Sequence, residues 1–176
     1  MATHKRFSAE NFIDVFRRLE EYGVDYVLCG GFACLLHGVS RVTNDLDICI
    51  RLTDDNVDSF VKAMASLNLQ TRIPEPIEAF ADPERRRVWR EKKNALVLSL
   101  NAPDRLLQID VFLDYPIGYD DLSSDAKQAE LGSVPVRFSS KKHLIAAKER
   151  IQPPRPHDLI DLEQLRQLLE EESNDD

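Results

Sequence analysis

Three aspartates and a pair of glycines are the residues of this chain whose types and spacing could do chemistry. Gly30-Gly31 is followed, after thirteen intervening residues, by Asp45-Leu46-Asp47, and Asp110 interrupts the apolar run Leu106-Leu107-Gln108-Ile109-Asp110-Val111-Phe112. Residues two apart on a strand point to the same face, so Asp45 and Asp47 can share a divalent cation, and a neighbouring strand bearing Asp110 can bring a third carboxylate alongside. Hard oxygen ligands of this kind suit Mg²⁺ or Mn²⁺. Two such ions roughly 4 Å apart clamp an in-line phosphoryl displacement, one activating the attacking hydroxyl and the other steadying the leaving group. Glycines let backbone N–H groups approach a phosphate with no Cβ in the way, which makes Gly30-Gly31 a candidate phosphate turn. Each piece has a plainer alternative: a D-x-D at a strand end can be a solvated turn or a cap, and a Gly-Gly pair can be only a turn. Asp110 is harder to dismiss, because a charge inside an apolar run either faces water on an open sheet or has a partner that justifies it.

Such residues need a sheet to hold them. Tyr26-Val27-Leu28-Cys29 is a β-prone run, cut by Gly30-Gly31 and followed by a short helical stretch from Phe32 to His37 that ends at Gly38. The alternation of Leu46, Ile48 and Ile50 with Asp45, Asp47 and Cys49 predicts a strand with one core face. Ahead of these, Ser8 as N-cap and Phe12, Val15, Phe16 and Leu19 at helical spacing predict a first helix that stops at Gly23. Thr53 is expected to cap a helix with the stripe Val57, Phe60, Val61, Met64 and Leu67, and 69–73 to form an edge strand closed by Pro74 and Pro76. Residues 95–100 and 106–113 read as a hairpin across Asn101-Ala102-Pro103-Asp104. Residues 134–138 read as a last short strand, after which Ser140 caps a helix to about 150, Pro153-Pro154 breaks it, and a helix with Leu159, Leu162, Leu165, Leu168 and Leu169 ends the chain. The order predicts an α/β (α+β) fold: a small mixed sheet flanked by helices, with C-terminal helices. The expected organisation is one domain over 1–150, a C-terminal helix over 151–172 packed on or beside it, and an acidic tail over 173–176.

Composition bounds the rest. A chain of 176 residues, 43% hydrophobic, can bury a core without disulfides or a structural metal. Its 31 acids against 23 bases argue against coating nucleic acid by bulk attraction. Eight of those acids lie in 157–176 beside a single base, Arg166, so the body is nearly neutral and a local basic face is possible. The place to look is Arg85 to Lys93, six bases and one acid around Trp89, whose plainer reading is a charged helix face. Cys29, Cys34 and Cys49 form neither a C-x-x-C pair nor an even set and read as buried free thiols in a reducing compartment. No apolar run approaches the roughly 18 residues of a membrane span, so a cytoplasmic protein is expected.

The run Tyr26-Val27-Leu28-Cys29-Gly30-Gly31-Phe32-Ala33, then His37-Gly38, Arg41, Thr43 and Asp45-Leu46-Asp47-Ile48, resembles the signature of the polymerase-beta-type nucleotidyltransferase superfamily. Within it the chain is most similar to the small prokaryotic branch of minimal nucleotidyltransferases and AbiEii-like toxins. Asp110 looks like the third carboxylate, Leu144-Ile145-Ala146-Ala147-Lys148 like the downstream lysine segment, and Arg155-Pro156-His157-Asp158-Leu159-Ile160-Asp161 like the Arg-x-x-Asp-x-x-Asp segment. The resemblance spans most of 24–165, with no familiar motif in 54–93. It implies a mixed sheet flanked by helices and an NTP used with Mg²⁺ or Mn²⁺. It implies transfer of a nucleoside monophosphate to a hydroxyl or other acceptor on RNA (tRNA included), protein or a small molecule, in a toxin–antitoxin or phage-defence setting. It makes Asp45, Asp47 and Asp110 metal ligands, with Asp110 alternatively a general base, and Gly30, Gly31, Arg41, Thr43, Lys148 and Arg155 nucleotide-binding residues.

Two departures stand out: Gly31 replaces the commoner serine of the glycine turn, and His157 stands where a lysine is common. The plainer readings are a loop arginine for Arg41, a strand-start threonine for Thr43, and a solvated helix lysine and linker arginine for Lys148 and Arg155. His37 reads as a helix C-terminal residue bonded to carbonyls, and Asp158 and Asp161 as caps that orient Arg155 or Lys148. An acceptor tRNA would require the Arg85–Lys93 face and Trp89 to lie beside the carboxylates. The alternative function is a catalytically silent antitoxin or regulatory protein of the same fold that binds a nucleotide or a partner.

Overall fold

Burial decides which of these runs become elements. A computed structural model describes residues 9–104 and 106–175. Helix α1 (Ala9–Glu21) buries the expected stripe of Phe12, Val15, Phe16 and Leu19; its expected cap, Ser8, lies outside the described residues. Strand β1 (Tyr26–Cys29), buried along its whole length, runs directly into α2 (Gly30–Leu36), so the two glycines are the first turn of the helix and not a separate turn before it. Strand β2 (Asp45–Ile50) leads to α3 (Asp54–Ser66). Thr53 stands at the N-cap of α3 but its side chain caps nothing. The junction is held instead by Asn56, which accepts from the Asp25 N–H at 2.7 Å and donates to the Arg51 carbonyl at 2.8 Å.

The chain continues through β3 (Gln70–Thr71), a 3₁₀ turn (Ile77–Ala81), α4 (Pro83–Lys93), β4 (Val97–Asn101) and β5 (Gln108–Phe112). Asp82 caps α4 by accepting from the Glu84 N–H, and Asn94 ends it at φ 50°. Then come α5 (Tyr119–Ser124), β6 (Lys127–Leu131), β7 (Val134–Phe138), α6 (Lys141–Glu149) and α7 (Pro156–Asp175). Ser140 caps α6 as expected, accepting from the His143 N–H. The 3₁₀ turn, α5 and β6 were not anticipated. Leu162 and Leu165 of α7 are buried whereas Leu159 faces out, so the leucine stripe starts one turn later than its sequence suggests, and the helix continues to Asp175.

The seven strands form one mixed sheet in the order β3-β4-β5-β2-β1-β7-β6, with β2–β5 and β1–β7 parallel and the other pairs antiparallel. One face carries Leu28, Ile48, Ile109 and Leu100 against Phe16 of α1 and Phe60 of α3. Each such side chain stabilises the fold by about 1.5–3 kcal/mol when fully buried. The other face holds a small apolar cluster of Val27, Cys29, Cys49 and Leu122 and is only half covered over β4 and β5. All three cysteines are buried and free. No helix among the described residues is long and apolar enough to cross a membrane.

Candidate active site

The half-covered face is where the three aspartates meet. Strands β2 and β5 run parallel in a register that sets Asp47 directly opposite Asp110 and Asp45 opposite Gln108. Neighbouring strands lie about 4.8 Å apart, which fixes the spacing of these carboxylates through the backbone ladder. The Thr43 hydroxyl donates to Asp45 Oδ1 at 2.8 Å. Ser99 of β4, opposite Asp110 in the ladder, donates from its hydroxyl to Asp110 Oδ1 at 2.5 Å, and the Gln108 amide donates to Oδ2 at 3.2 Å. Among the described residues, none of the three carboxylates is in an ion pair. Burial first, and the charges of Asp45 and Asp110 next, push the Asp47 carboxyl up to about 6.

Gly30 stands against this group at φ +58°, a conformation that favours glycine, and a Cβ there would lie 1.9 Å from Asp47 Oδ2. A Cβ on Gly31 would lie 2.6 Å from Arg41 Cζ. The two glycines therefore make room for two different partners, one acidic and one basic, on either side of the first turn of α2.

The cations of the site are held by two buried acids. Lys148 of α6 pairs with Asp158 at 3.0 Å and Asp161 at 2.7 Å; Arg41 pairs with Asp161 at 2.5 Å, and Arg155 with Asp158 at 2.6 Å. Asp158 and Asp161, one turn apart on α7, are 0% and 1% exposed, so the orienting role expected of them is what the geometry displays. Burial alone would raise Asp158, but hydrogen bonds from Arg155 and Lys148 outweigh it and hold the carboxyl below the usual range. Arg41 Nε is buried with no hydrogen-bond partner among the described residues. His37 donates from Nε2 to the Ser139 carbonyl, 2.8 Å away, the carbonyl-bonding place expected for it.

These groups line one cleft of about 490 Å³ that includes Gly30, Gly31, Arg41, Asp45, Asp47, Asp110, Lys148 and Arg155. Thr43 lies in an adjoining groove that shares Arg41, Asp45, Arg155 and His157 with the cleft, and its hydroxyl holds Asp45. Sequence reading missed Ser99 and Gln108, although Gln108 precedes Asp110 by two and alternation alone puts them on one face. It also missed the apolar wall of Leu96, Val97, Phe112, Tyr115, Pro116 and Ile151, whose residue types read as core.

The basic run of 85–93 is α4, and most of it is neutralised. Arg87 pairs with Glu84 and Glu91, Arg90 with Glu91, Arg86 with Asp54, and Arg85 and Lys93 approach Glu75 at 3.8 and 3.6 Å. Trp89 is 2% exposed, donates from Nε1 to Glu75 at 3.1 Å, and does not line the cleft. The expectation that an RNA-binding face would place Trp89 beside the carboxylates is not met: its ring is core.

The oxygens of Asp45, Asp47 and Asp110 are not closed around a single point; among the described residues no group of three or more His, Cys, Asp or Glu side chains has the geometry of a metal site. The donor set nevertheless fits a hard divalent cation, since three carboxylates crowd one sheet face with no positive partner bonded to any of them.

Residues 14–176 match the family model described as the nucleotidyl transferase AbiEii toxin of a type IV toxin–antitoxin system. The chain belongs to this nucleotidyltransferase family. No curated protein sequence matches it. Among solved structures it is similar in fold to the lincosamide antibiotic adenylyltransferase LnuA (TM-score 0.60, 11% identity, covering 92% of this chain and 98% of that one). It is likewise similar to an antigenic nucleotidyltransferase-like protein from Paracoccidioides brasiliensis (0.56, 17%, 90% and 77%) and to the antibiotic-resistance factor ANT(2'')-Ia (0.54, 14%, 89% and 80%). The mixed sheet flanked by helices is thus the fold that the family's motifs imply.

Proposed function

We propose that this AbiEii-family nucleotidyltransferase moves a nucleoside monophosphate from an NTP to an acceptor hydroxyl with the help of a divalent cation, in the toxin–antitoxin setting of its family. The observation that carries the proposal is Asp47 facing Asp110 across parallel strands, with Asp45 on the same face and no ion pair on any of them among the described residues. Asp45, Asp47 and Asp110 would hold Mg²⁺ or Mn²⁺, which when bound supplies charge neutralisation at the phosphates and a more acidic acceptor hydroxyl. Gly30 and Gly31, at the turn beside the triphosphate, leave room for the Asp47 carboxylate and the Arg41 guanidinium. Arg41, with its unsatisfied Nε, and Arg155 and Lys148, aimed by Asp158 and Asp161, offset the charge of the triphosphate. Thr43 steadies Asp45 rather than the nucleotide. Asp110, held by Ser99 and Gln108, takes the proton of the acceptor hydroxyl as its oxygen bonds to the α-phosphorus and the bond to pyrophosphate breaks. Buried free cysteines agree with a reducing, cytoplasmic location.

The test is calorimetry with ATP, GTP, CTP and UTP, with and without Mg²⁺, followed by incubation with α-labelled NTP and total RNA, total protein or a small-molecule extract. NTP binding and label transfer by the native chain, both abolished in the Asp45→Asn/Asp47→Asn variant, are expected. Transfer that survives the double substitution would overturn the mechanism.

A further inference from the structure

The sheet face that carries the carboxylates continues past them to an edge. From β2 outward, Asp47, Asp110 and Ser99 stand in one lateral row. The row ends at Arg72, whose N–H donates to the Ser99 carbonyl at 3.0 Å and so extends the β3–β4 ladder by one residue. The Arg72 guanidinium lies 3.5 Å from Gln108 Oε1, while the Gln108 amide reaches Asp110, so the side chains of all three lie on this face. Arg72 is exposed and has no carboxylate partner among the described residues, unlike every arginine of α4.

In-line displacement puts the attacking and leaving oxygens on opposite sides of the phosphorus. Gly30 and Gly31 lie to the β1 side of the carboxylates, where β1 runs into α2, with Arg41 against Gly31 and Lys148 joined to Arg41 through Asp161, and the leaving pyrophosphate belongs there. The acceptor must then approach over β5, β4 and β3. We propose that Arg72, with Gln108 and Ser99 beside it, is an acceptor-side anion subsite that selects hydroxyl compounds carrying a phosphate group two strands, roughly 10 Å, from the reacting oxygen. The phosphate can belong to a polynucleotide backbone or to a free phosphate ester; the recognition chemistry is the same. The inference rests on Asp110 marking the acceptor side of the proposed reaction.

The experiment saturates the chain with Mg²⁺ and a non-hydrolysable α,β-methylene NTP, so that the phosphate turn is filled, and then titrates a ten-nucleotide oligouridylate and, separately, glycerol 3-phosphate by calorimetry. The expected result is that at least one probe binds, that Arg72→Ala weakens it at least tenfold and Arg72→Glu abolishes it, and that Arg72→Lys retains part of it. Binding of the oligonucleotide alone assigns the phosphate to a polynucleotide; binding of the ester alone assigns it to a free metabolite. Affinity that is equal in Arg72→Ala, or no binding of either probe by the native chain, overturns the proposal. The affinity of the NTP analogue, measured in the same samples, reports separately on the nucleotide site: its failure would sink the proposed function while Arg72-dependent phosphate binding would still stand.

Discussion

Gly30 and Asp47 occupy each other's space: Asp47 Oδ2 stands 1.9 Å from where a Cβ on residue 30 would lie. Gly30→Ala therefore combines a left-handed backbone, costing roughly 1–2 kcal/mol, with displacement of a carboxylate central to the site. A melting temperature lower by about 4–8 °C and loss of NTP binding by calorimetry are expected. Gly31→Ala meets the flexible end of Arg41 instead, so it should cost less stability while weakening NTP binding through the displaced guanidinium.

Burial first, and then the like charges of Asp45 and Asp110, raise the Asp47 carboxyl to about 6. In metal-free buffer near neutral pH the ionised group opposes folding by an amount on the order of 3 kcal/mol. Asp47→Asn should accordingly melt higher than the native chain without metal, and the stabilisation by added Mg²⁺ seen with the native chain should shrink. Thermal scans with EDTA and with Mg²⁺ check this; a variant that melts lower in EDTA contradicts it.

Asp161 bonds Lys148 and Arg41 while almost fully buried. Removing one member of a buried ionic group leaves the others uncompensated, at a cost of about 3–5 kcal/mol. Asp161→Ala should shift the urea midpoint accordingly and raise the KM for NTP, since Arg41 loses its anchor and Lys148 one of its two. Full stability in urea would mean that the network carries no weight.

Remote from the cleft, Asp25 accepts from Arg51 at 2.9 Å, Tyr119 at 3.1 Å and Arg137 at 3.3 Å. Burial alone would raise it, but the hydrogen bonds from Arg51 and Tyr119 and the charges of Arg51 and Arg137 prevail, leaving it below the ordinary value of 3.8. The folded chain then binds fewer protons than the unfolded one below that value, so the contribution is complete above it and lost as pH falls through the folded value. Melting temperature should drop more steeply with acid below about pH 4 in the native chain than in Asp25→Asn.

The carboxylates and glycines were legible in sequence because their geometry is local: a period of two on a strand and a Cβ-free turn need no tertiary knowledge. The same holds for the stripe of α1. Strand β6 was hidden by its polar, exposed sequence Lys-Gln-Ala-Glu-Leu at the sheet edge, and α5 by having six residues. Lys148 and Arg155 were recognisable as charges, and Asp158 and Asp161 as acids that orient them, yet only the fold reveals that both acids are buried and that Asp161 also holds Arg41. Arg72 carries no local signal at all; its place depends on a two-residue strand pairing with β4.

Strand β2 is paired along both sides, to β1 and to β5, whereas β3 and β6 close the sheet with one free side each. Amide hydrogens of Leu46 and Ile48 should exchange with solvent only when the whole domain opens, while those at the two margins exchange through local fraying. The carboxylate cluster is thereby insulated from the breathing of the β3 margin, and that margin can adapt its shape without disturbing where the three aspartates stand.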